Sequence, residues 1–370
     1  MKIVCSKNDL LAGVNIVMKA VPSKTSMPIL ECILINAEDG EIKLTVNDME
    51  LGIETKVKGN IEEAGMIAIE AKLFAEIVRK LPNDDITIDV SDDLKVKITC
   101  QKAKFDLIGL DGNTFSFLPD INKNESIYIS QFSLREIINQ TLFSVADNDK
   151  TKILTGELIE VNGSNLRVAS LDGFRISIRN ITLKEEFGNV KVIVPGKTLS
   201  EISKILTGGL EDMVNISFTE NHILFEFDNT VVVSRLIEGE FFKIDKMISN
   251  DYETKVKVNR NELMSAIDRA TLLAKEGNIK PIILNINDDA MNIKMNSFIG
   301  SMDEDVDVDK EGGNLVIGFN PKFIIEALRA IDDEEVDIYF VNSKSPCFIK
   351  NEELSYIYLI VPVNINTNVN

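Results

Sequence analysis

Three glutamates recur along the chain at an interval of 125 residues, namely Glu76, Glu201 and Glu326. Each occupies the same place in a segment of similar apolar pattern: 71-AKLFAEIVRKL-81, 196-GKTLSEISKIL-206 and 321-PKFIIEALRAI-331. A second segment repeats at a similar interval, as 6-SKNDLLAGVNIVMKAV-21, 130-SQFSLREIINQTLFSV-145 and 259-NRNELMSAIDRATLLA-274. A chain of 370 residues with this period contains three copies of one domain. We place the domains at residues 1–124, 125–250 and 251–370.

Each copy divides into two halves that read as a strand, a helix and several further strands. The helical segments carry apolar residues at i, i+3, i+4 and i+7, as in Phe74, Ile77, Val78 and Leu81. Runs such as 86-ITIDVSDDLKVKITC-100 alternate polar and apolar residues, and strand-like runs also begin at Pro28, Lys152 and Pro281. One helix cannot cover both faces of a sheet. We therefore predict an α+β fold with two helices per domain on one side of antiparallel sheets.

The composition excludes several kinds of protein. No apolar stretch approaches the roughly 18 residues of a membrane span, and no signal-peptide core follows Met1. The four cysteines are scattered, which favours buried free thiols and a cytoplasmic location. His222 is the single histidine, and we expect it at a turn or strand edge. The sequence therefore has almost none of the residues that a zinc site or His-dependent catalysis requires, and we expect no cofactor.

The distribution of charge is more informative than the net charge of −19. The helical parts of the six segments hold 11 Lys and Arg against 7 Asp and Glu, whereas the rest of the chain holds 29 against 52; these parts are residues 9–20, 72–81, 133–144, 197–206, 261–275 and 321–331. A basic helical surface in an acidic protein indicates contact with nucleic acid, and ordinary solvated charge is the alternative. The candidates for DNA contact lie on the less apolar helix faces: Lys72, Arg79, Lys80, Lys197 and Lys204.

Two motif-like segments have simpler explanations. Gly196-Lys197-Thr198 lacks the earlier glycine of a phosphate-binding loop and starts a repeated helix. The run 303-DEDVDVDKE-311 lacks the glycine and glutamate of a calcium loop, and we predict an edge strand with an acidic outer face. A paired-carboxylate hydrolase stays open as an alternative, although no one pair is singled out among 59 acidic residues.

The order of three further segments in this triplicated chain is specific. The segments 22-PSKTSMPIL-30, 169-ASLDGFRIS-177 and 356-YIYLIVPV-363 resemble those of the bacterial DNA polymerase III beta subunits, the sliding clamps, and the resemblance covers essentially the whole chain. It implies a non-catalytic homodimer that closes head to tail into a ring. The helices would line a hole for double-stranded DNA, bound without regard to sequence. The ring would tether the replicative polymerase, the clamp loader and other proteins that carry a clamp-binding peptide.

The resemblance also implies roles for particular residues. Lys24 and Asn148 match DNA-contacting positions, and Phe105 and Leu107 of one copy would face Leu272 and Leu273 of the other at the ring interface. A peptide pocket would lie between the second and third domains. Its matching positions are Leu154, Leu171, Gly173, Phe174, Arg175, Ile176, Phe242, Lys246, Met247, Ile360, Val361 and Pro362. For the aliphatic residues among these positions, packing in the protein core is the alternative role. Phe242 and Lys246 stand where the family commonly has Pro and Arg.

Two other functions compete with a clamp. A triplicated protein-binding scaffold without DNA explains the repeats and the acidity but not the basic bias of the helices. If the protein were a metal-assisted hydrolase, removal of one catalytic carboxylate would abolish turnover. Salt-sensitive association with DNA separates the clamp from the scaffold.

Overall fold

A computed structural model of the protein describes residues 1–119, 121, 126–147, 150–273 and 280–365. The chain divides into two compact units. The first unit comprises Met1–Arg135 and Lys197–Leu236, and the second comprises Glu136–Gly196 and Ile237–Asn370. The middle of the three predicted domains thus contributes one part to each unit, and its boundaries stay a prediction.

Among its described residues, the first unit holds two sheets, whose strands are numbered here in chain order. The smaller sheet has the spatial order Asn60–Glu63 (β5), Lys2–Ser6 (β1), Asp85–Val90 (β7), Lys95–Cys100 (β8) and Ala103–Ile108 (β9). The larger has the order Leu110–Asp111 (β10), Gly65–Glu70 (β6), Cys32–Glu38 (β2), Glu41–Asn47 (β3), Leu51–Val57 (β4), Thr230–Arg235 (β16), His222–Phe227 (β15), Met213–Phe218 (β14) and Ser126–Ser130 (β11).

The described strands of the second unit form one ten-stranded sheet. Its order is Gly156–Leu171 (β12), Arg175–Pro195 (β13), Tyr356–Ile360 (β24), Cys347–Lys350 (β23), Glu335–Phe340 (β22), Thr254–Asn259 (β17), Gly300–Gly312 (β20), Ala290–Ser297 (β19), Ile282–Ile286 (β18) and Leu315–Phe319 (β21). In both units, antiparallel pairs join consecutive sequence repeats: β4 pairs with β16, and β13 pairs with β24.

The described residues form six α-helices, each of which begins directly after a strand or one residue later. They are Lys7–Val17 (α1), Ala71–Lys80 (α2), Gln131–Asn139 (α3), Gly196–Ile205 (α4), Arg260–Thr271 (α5) and Pro321–Arg329 (α6). A polar side chain at the junction caps the first turn of every one of these helices except α4, which follows Pro195, because the first helical N–H groups lack partners within the helix. Ser6 accepts from the Asp9 N–H at 3.1 Å, and Asn320 accepts from the Lys322 N–H at 3.1 Å.

The cores lie between helices and sheets, which confirms the predicted α+β fold. Phe74, Ile77, Val78 and Leu81 of the second helical segment are all buried, as their spacing predicts. In the second unit, α5 contacts α6 and also β17, β19 and β20, so one core is shared by two helices and the sheet.

Two of the predicted strand-like runs are partly wrong. Pro28–Glu31 and Lys152–Thr155 each form one turn of 3₁₀ helix before β2 and β12 begin. Proline has no N–H to give to a strand ladder, and the turn directs Leu30 inward. The equivalent turn in the second repeat buries Leu154 in the same way.

The acidic run lies in β20 and is an edge strand only in part. Asp303, Asp305, Asp307 and Asp309 are exposed, which confirms the acidic outer face. β20 lies between two strands of the sheet, because it pairs with β19 over residues 300–307 and with β17 over residues 308–312. Over residues 300–307, β19 is its one paired neighbour among the described strands, so only that half is an edge.

Three smaller predictions are confirmed, which concern the cysteines, His222 and the helix start at Gly196. All four cysteines are buried and free, and burial raises the pKa of the Cys5 and Cys347 thiols to about 12. Such thiols are unreactive at neutral pH. His222 begins β15 after a turn closed by its bond to Thr219, and Gly196 begins α4. No helix in the described ranges is long and apolar enough to cross a membrane.

Candidate functional site

The turn at Asp172 presents an exposed aromatic ring. The Asp172 Oδ1 atom accepts hydrogen bonds from the Phe174 N–H at 2.9 Å and the Arg175 N–H at 3.1 Å. Gly173 has a φ of +87°, a conformation that glycine adopts without steric cost. As a result, Phe174 leaves 62 % of its surface exposed while its neighbour Arg175 turns inward.

The Arg175 side chain is fixed within the protein. It is only 7 % exposed, and its Nε donates to Asp172 Oδ2 at 2.9 Å. Its two terminal nitrogens donate to Glu326 of α6 and to the carbonyl of Phe143. The guanidinium also lies over the Phe323 ring, 4.4 Å from its centroid. Arg175 therefore lies at the predicted pocket position, but it positions the turn and its guanidinium is not free for a partner.

The aliphatic pocket residues form a buried floor. Leu154, Leu171 and Ile176 belong to one cluster of buried side chains, which also contains Phe241 and Ile244. These three side chains pack in a core, which is the alternative role, and their part in a pocket stays a prediction. Ile360 belongs to a different core, the one beneath α5 and α6.

The rim around this floor is apolar and open. Phe242 is 39 % exposed and makes an edge-to-face contact with buried Phe241, and Met247 is also exposed. Val361 and Pro362 are half-buried, and the Val361 N–H donates to the Phe174 carbonyl at 2.9 Å. Lys246, which precedes Met247 in the chain, is exposed as well. We call this the Phe174 surface, defined by Phe174, Phe242, Met247, Val361 and Pro362.

The predicted DNA-contacting side chains are exposed on the helices. On α2, Lys72, Arg79 and Lys80 lie opposite the buried apolar face, as their spacing predicts. On α4, Lys204 pairs with Glu201 at 2.8 Å, and Lys197 pairs with Asp48 at 3.0 Å. Lys24 is exposed in the loop after Pro22. Asn148 lies outside the described residues.

The three repeated glutamates have different partners in the three copies. Glu76 pairs with Arg79 and Lys80, and Glu201 pairs with Lys204, each within its own helix. Glu326 pairs with Lys322 of its own helix at 3.9 Å and also binds Arg175 from the preceding repeat. The repeat therefore preserves the helix in all three copies, and only the third glutamate supports the Phe174 surface.

Comparisons with known proteins identify the family. Family models of the DNA polymerase III beta subunit match the chain in three blocks: the N-terminal domain at residues 1–119, the central domain at 128–243 and the C-terminal domain at 245–364. The beta sliding clamp of Staphylococcus aureus is 33 % identical over 98 % of this chain and 99 % of its own length. The chain belongs to the DNA polymerase III beta subunit family.

Solved structures of sliding clamps have the same fold. A crystal structure described as a putative DNA polymerase III beta subunit from Eubacterium rectale is 61 % identical, with a TM-score of 0.96 over 99 % of this chain and 100 % of its own. The DNA polymerase sliding clamp of Bacillus subtilis is 34 % identical, with a TM-score of 0.95 over 99 % of each chain. Sliding clamps are non-catalytic processivity subunits, so the alternative of a hydrolase is wrong.

Surfaces suited to a clamp interface lie in each unit. In the first unit, Phe105 and Leu107 project from β9, which ends its sheet and leaves one edge unpaired among the described strands. In the second unit, Leu272 is 77 % exposed at the end of α5. Leu273 beside it is half-buried against the core. Each surface offers apolar side chains to a partner.

Sequence reasoning missed two groups of residues. Phe143 and Phe323 hold Arg175, although no repeat or motif singles them out. Lys19, Lys56 and Lys58 line an open cleft of about 640 Å³ beside α1 and the end of α4, together with the predicted Lys204. Lys19 was included in the helix charge count, whereas Lys56 lies at the end of β4 and Lys58 follows that strand, so the count gave those two no weight. Within the described ranges, no cluster of three or more His, Cys, Asp or Glu side chains is arranged to hold a metal ion.

Proposed function

We propose that two copies of this chain close head to tail into a ring that encircles duplex DNA, slides along it and tethers the replicative polymerase. The observation that carries the proposal is an exposed aromatic, Phe174, held rigidly by Asp172 and Arg175 in a chain that belongs throughout to the clamp family. Three domains per chain, at residues 1–124, 125–250 and 251–370, give six around the ring.

The helix surface is the proposed DNA-facing wall. Its basic excess stands against an acidic remainder, so phosphates are attracted to the helices and repelled elsewhere. Phosphate contacts carry no sequence information, which suits a protein that slides. Retention is topological, so the individual contacts are weak. The proposed contacts are Lys24, Lys72, Arg79, Lys80, Asn148, Lys197 and Lys204.

The Phe174 surface is the proposed docking site for peptides of the polymerase, the clamp loader and other partners. Exposed apolar side chains above a buried aliphatic floor suit a short linear peptide with apolar anchors. The hydrogen bonds of Arg175 to its neighbours fix the turn that carries Phe174. Few side chains of the clamp therefore have to be ordered when a partner binds. Lys246 at the rim suits an acidic residue of the peptide.

Ring closure joins the first domain of one copy to the third domain of the other. Phe105 and Leu107 on the open edge of β9 would meet Leu272 and Leu273 of the partner copy. Exposed lysines at residues 102 and 104 complement the acidic half of β20, which also has an open edge. Such a heterologous contact closes into a ring when its geometry repeats. We place this ring in the cytoplasm, in keeping with four free thiols.

A processivity assay tests the proposal. A primed single-stranded circle is extended by a bacterial DNA polymerase III with clamp loader and ATP, under conditions that allow one binding event per template. The chain is expected to lengthen the products several-fold. Phe174→Ala should abolish most of that gain, because a central aromatic anchor contributes about 2 kcal/mol or more to such an interface.

The matched control is Tyr128→Ala, which removes an exposed aromatic on β11 of the first unit, whereas the Phe174 surface belongs to the second. It should extend products as the unchanged chain does. If the unchanged chain fails to lengthen products with a loader shown to be active, the clamp proposal is refuted and the scaffold without DNA is favoured. Equal products from Phe174→Ala and the unchanged chain would refute the docking site.

A further inference from the structure

The first unit contains a cleft of about 250 Å³ that no predicted role uses. It lies where β4 meets β16, beside the segment that follows β10. Its lining includes Met49, Gly52, Phe117, Leu118, His222 and Arg235. We call it the Met49 cleft.

The backbone frame of this cleft repeats that of the Phe174 surface. Asp48 Oδ1 accepts from the N–H groups of Glu50 at 3.0 Å and Leu51 at 2.6 Å, as Asp172 accepts from the two residues at the same offsets. The Arg235 N–H donates to the Glu50 carbonyl at 2.9 Å, which is the counterpart of the bond from Val361 to Phe174. The internal repeat therefore builds the same turn and strand junction twice.

Met49 is held in a strained backbone conformation. Its φ is +74°, and the residue at the same place in the other turn is Gly173, with a φ of +87°. A methionine in this region is unfavourable, and such strain persists where the surroundings or a function impose it. The strained turn leaves 52 % of Met49 exposed at the cleft.

The segments that cover the two sites also correspond. Phe117 is 52 % exposed and meets the buried Phe115 edge-to-face, with ring centroids 6.4 Å apart. Phe242 meets Phe241 in the same manner, also at 6.4 Å. Leu118 lies against Gly52, where a Cβ would come within 2.1 Å of it, so the floor of the Met49 cleft is apolar as well.

Both rims carry a basic side chain, Lys246 at the Phe174 surface and Arg235 at the Met49 cleft, and this charge indicates the occupant. Arg235 and His222 stand at the Met49 cleft, and the Arg235 guanidinium is half exposed with the Glu50 carboxylate 4.0 Å away. The Asn47 amide is already committed to the carbonyls of Ser116 and Phe117. Arg235 and His222 supply N–H donors, and Glu50 is the one acidic residue in the lining, so a ligand carboxylate next to an apolar group would bind Arg235 in competition with Glu50.

We propose that the Met49 cleft is a second peptide-docking site, which takes an apolar side chain of an extended segment with an acidic residue beside it. In so far as it relies on the matching backbone turns, this second site rests on the proposed function of the Phe174 surface. The strain at Met49, the exposed side chains and the hydrogen-bond donors are properties of the Met49 cleft and do not depend on that function. A partner with two such segments would bind both sites of one chain, and the second segment would act at high effective concentration.

Photo-crosslinking tests this proposal on the intact chain. The probe is the peptide acetyl-Asp-Leu-benzoylphenylalanine amide, whose benzophenone inserts preferentially at methionine. Labelled positions are identified by mass spectrometry, with acetyl-Asp-Leu-Phe amide as competitor. Competed labelling is expected at Met49 and, from the Phe174 surface, at Met247. Met27 is equally exposed and lies outside both sites, so it reports random labelling.

Two variants separate docking from folding. Arg235→Glu should lower the labelling of Met49 at least fivefold and leave that of Met247 unchanged. Met49→Gly should reduce the number of competitor sites per chain from two to one in calorimetry, while the thermal midpoint stays the same or rises because the strain is removed.

The outcomes distinguish the two proposals. Labelling of Met49 that is no greater than that of Met27, or that resists the competitor, overturns the second site and leaves the Phe174 surface standing. Two competitor sites in Met49→Gly also overturn it. Competed labelling of Met49 without any at Met247 supports the Met49 cleft and removes the Phe174 surface.

Discussion

Replacing the buried Glu157 with Gln should stabilise the second unit at neutral and alkaline pH. Glu157 lies on β12 and is fully buried, and neither carboxylate oxygen has a hydrogen-bond partner among the described residues. Burial raises the pKa of this carboxyl from 4.5 to about 8. The nearby Thr141 hydroxyl opposes the shift only weakly, since it donates to the Ile137 carbonyl at 2.7 Å.

The direction of the pH dependence follows from proton binding. Between pH 4.5 and 8 the folded state holds the Glu157 proton and the unfolded state releases it, so the free energy of unfolding falls as the pH rises. At about 1.4 kcal/mol per pH unit, the loss is about 3 kcal/mol at pH 7 and about 5 kcal/mol at pH 9. Glutamine has nearly the same shape and no such loss.

Urea unfolding at pH 5, 7 and 9 measures this effect. The chain has no tryptophan, and four of its five tyrosines lie in the second unit, so tyrosine fluorescence reports mainly on the unit that contains Glu157. The advantage of Glu157→Gln over the unchanged chain should grow with pH, from about 1 kcal/mol at pH 5 to about 3 kcal/mol at pH 7 and about 5 kcal/mol at pH 9. Glu186→Gln, on an exposed part of β13, is the control and should follow the unchanged chain throughout. A difference between Glu157→Gln and the unchanged chain that does not vary with pH would refute the reasoning.

Three further predictions concern the wall, the interface and the turn. Lys24→Glu should weaken loading on DNA without changing the thermal midpoint, because Lys24 is exposed; loading assays that show no change would remove it from the wall. Leu273→Asp should yield monomers in sedimentation velocity, and Phe105→Asp, from the opposite side of the proposed interface, should do the same; dimers that persist in both variants would move the interface elsewhere. Arg175→Ala should lower the free energy of unfolding by about 3–5 kcal/mol, since it leaves Asp172 and Glu326 without their shared partner, and a loss below about 1 kcal/mol in urea unfolding would contradict that role.

The sequence predicted those features that rest on local periodicity and repetition. The buried face of α2, the start of α4 at Gly196 and the antiparallel sheets all follow from patterns of a few residues. The repeat in turn identified Glu326 as equivalent to Glu76, because both occupy the same helix position.

What the sequence could not predict depends on contacts between distant residues. All three glutamates pair within their own helix, but only Glu326 also binds Arg175, which lies 151 positions away. Likewise, β20 changes its pairing partner half-way along, which alternation of side chains cannot reveal. The positive φ of Met49 could not be predicted because glycine and asparagine, and not methionine, are the residues that usually adopt this conformation.

The most direct test of the ring is retention on circular DNA. The chain is loaded onto a nicked circle with a bacterial clamp loader and ATP, separated from free protein, and followed before and after the circle is cut once. A closed ring that slides should stay on the circle and leave the linear DNA by its ends. Equal retention on the circle and on the cut DNA would show ordinary surface binding and contradict topological linkage.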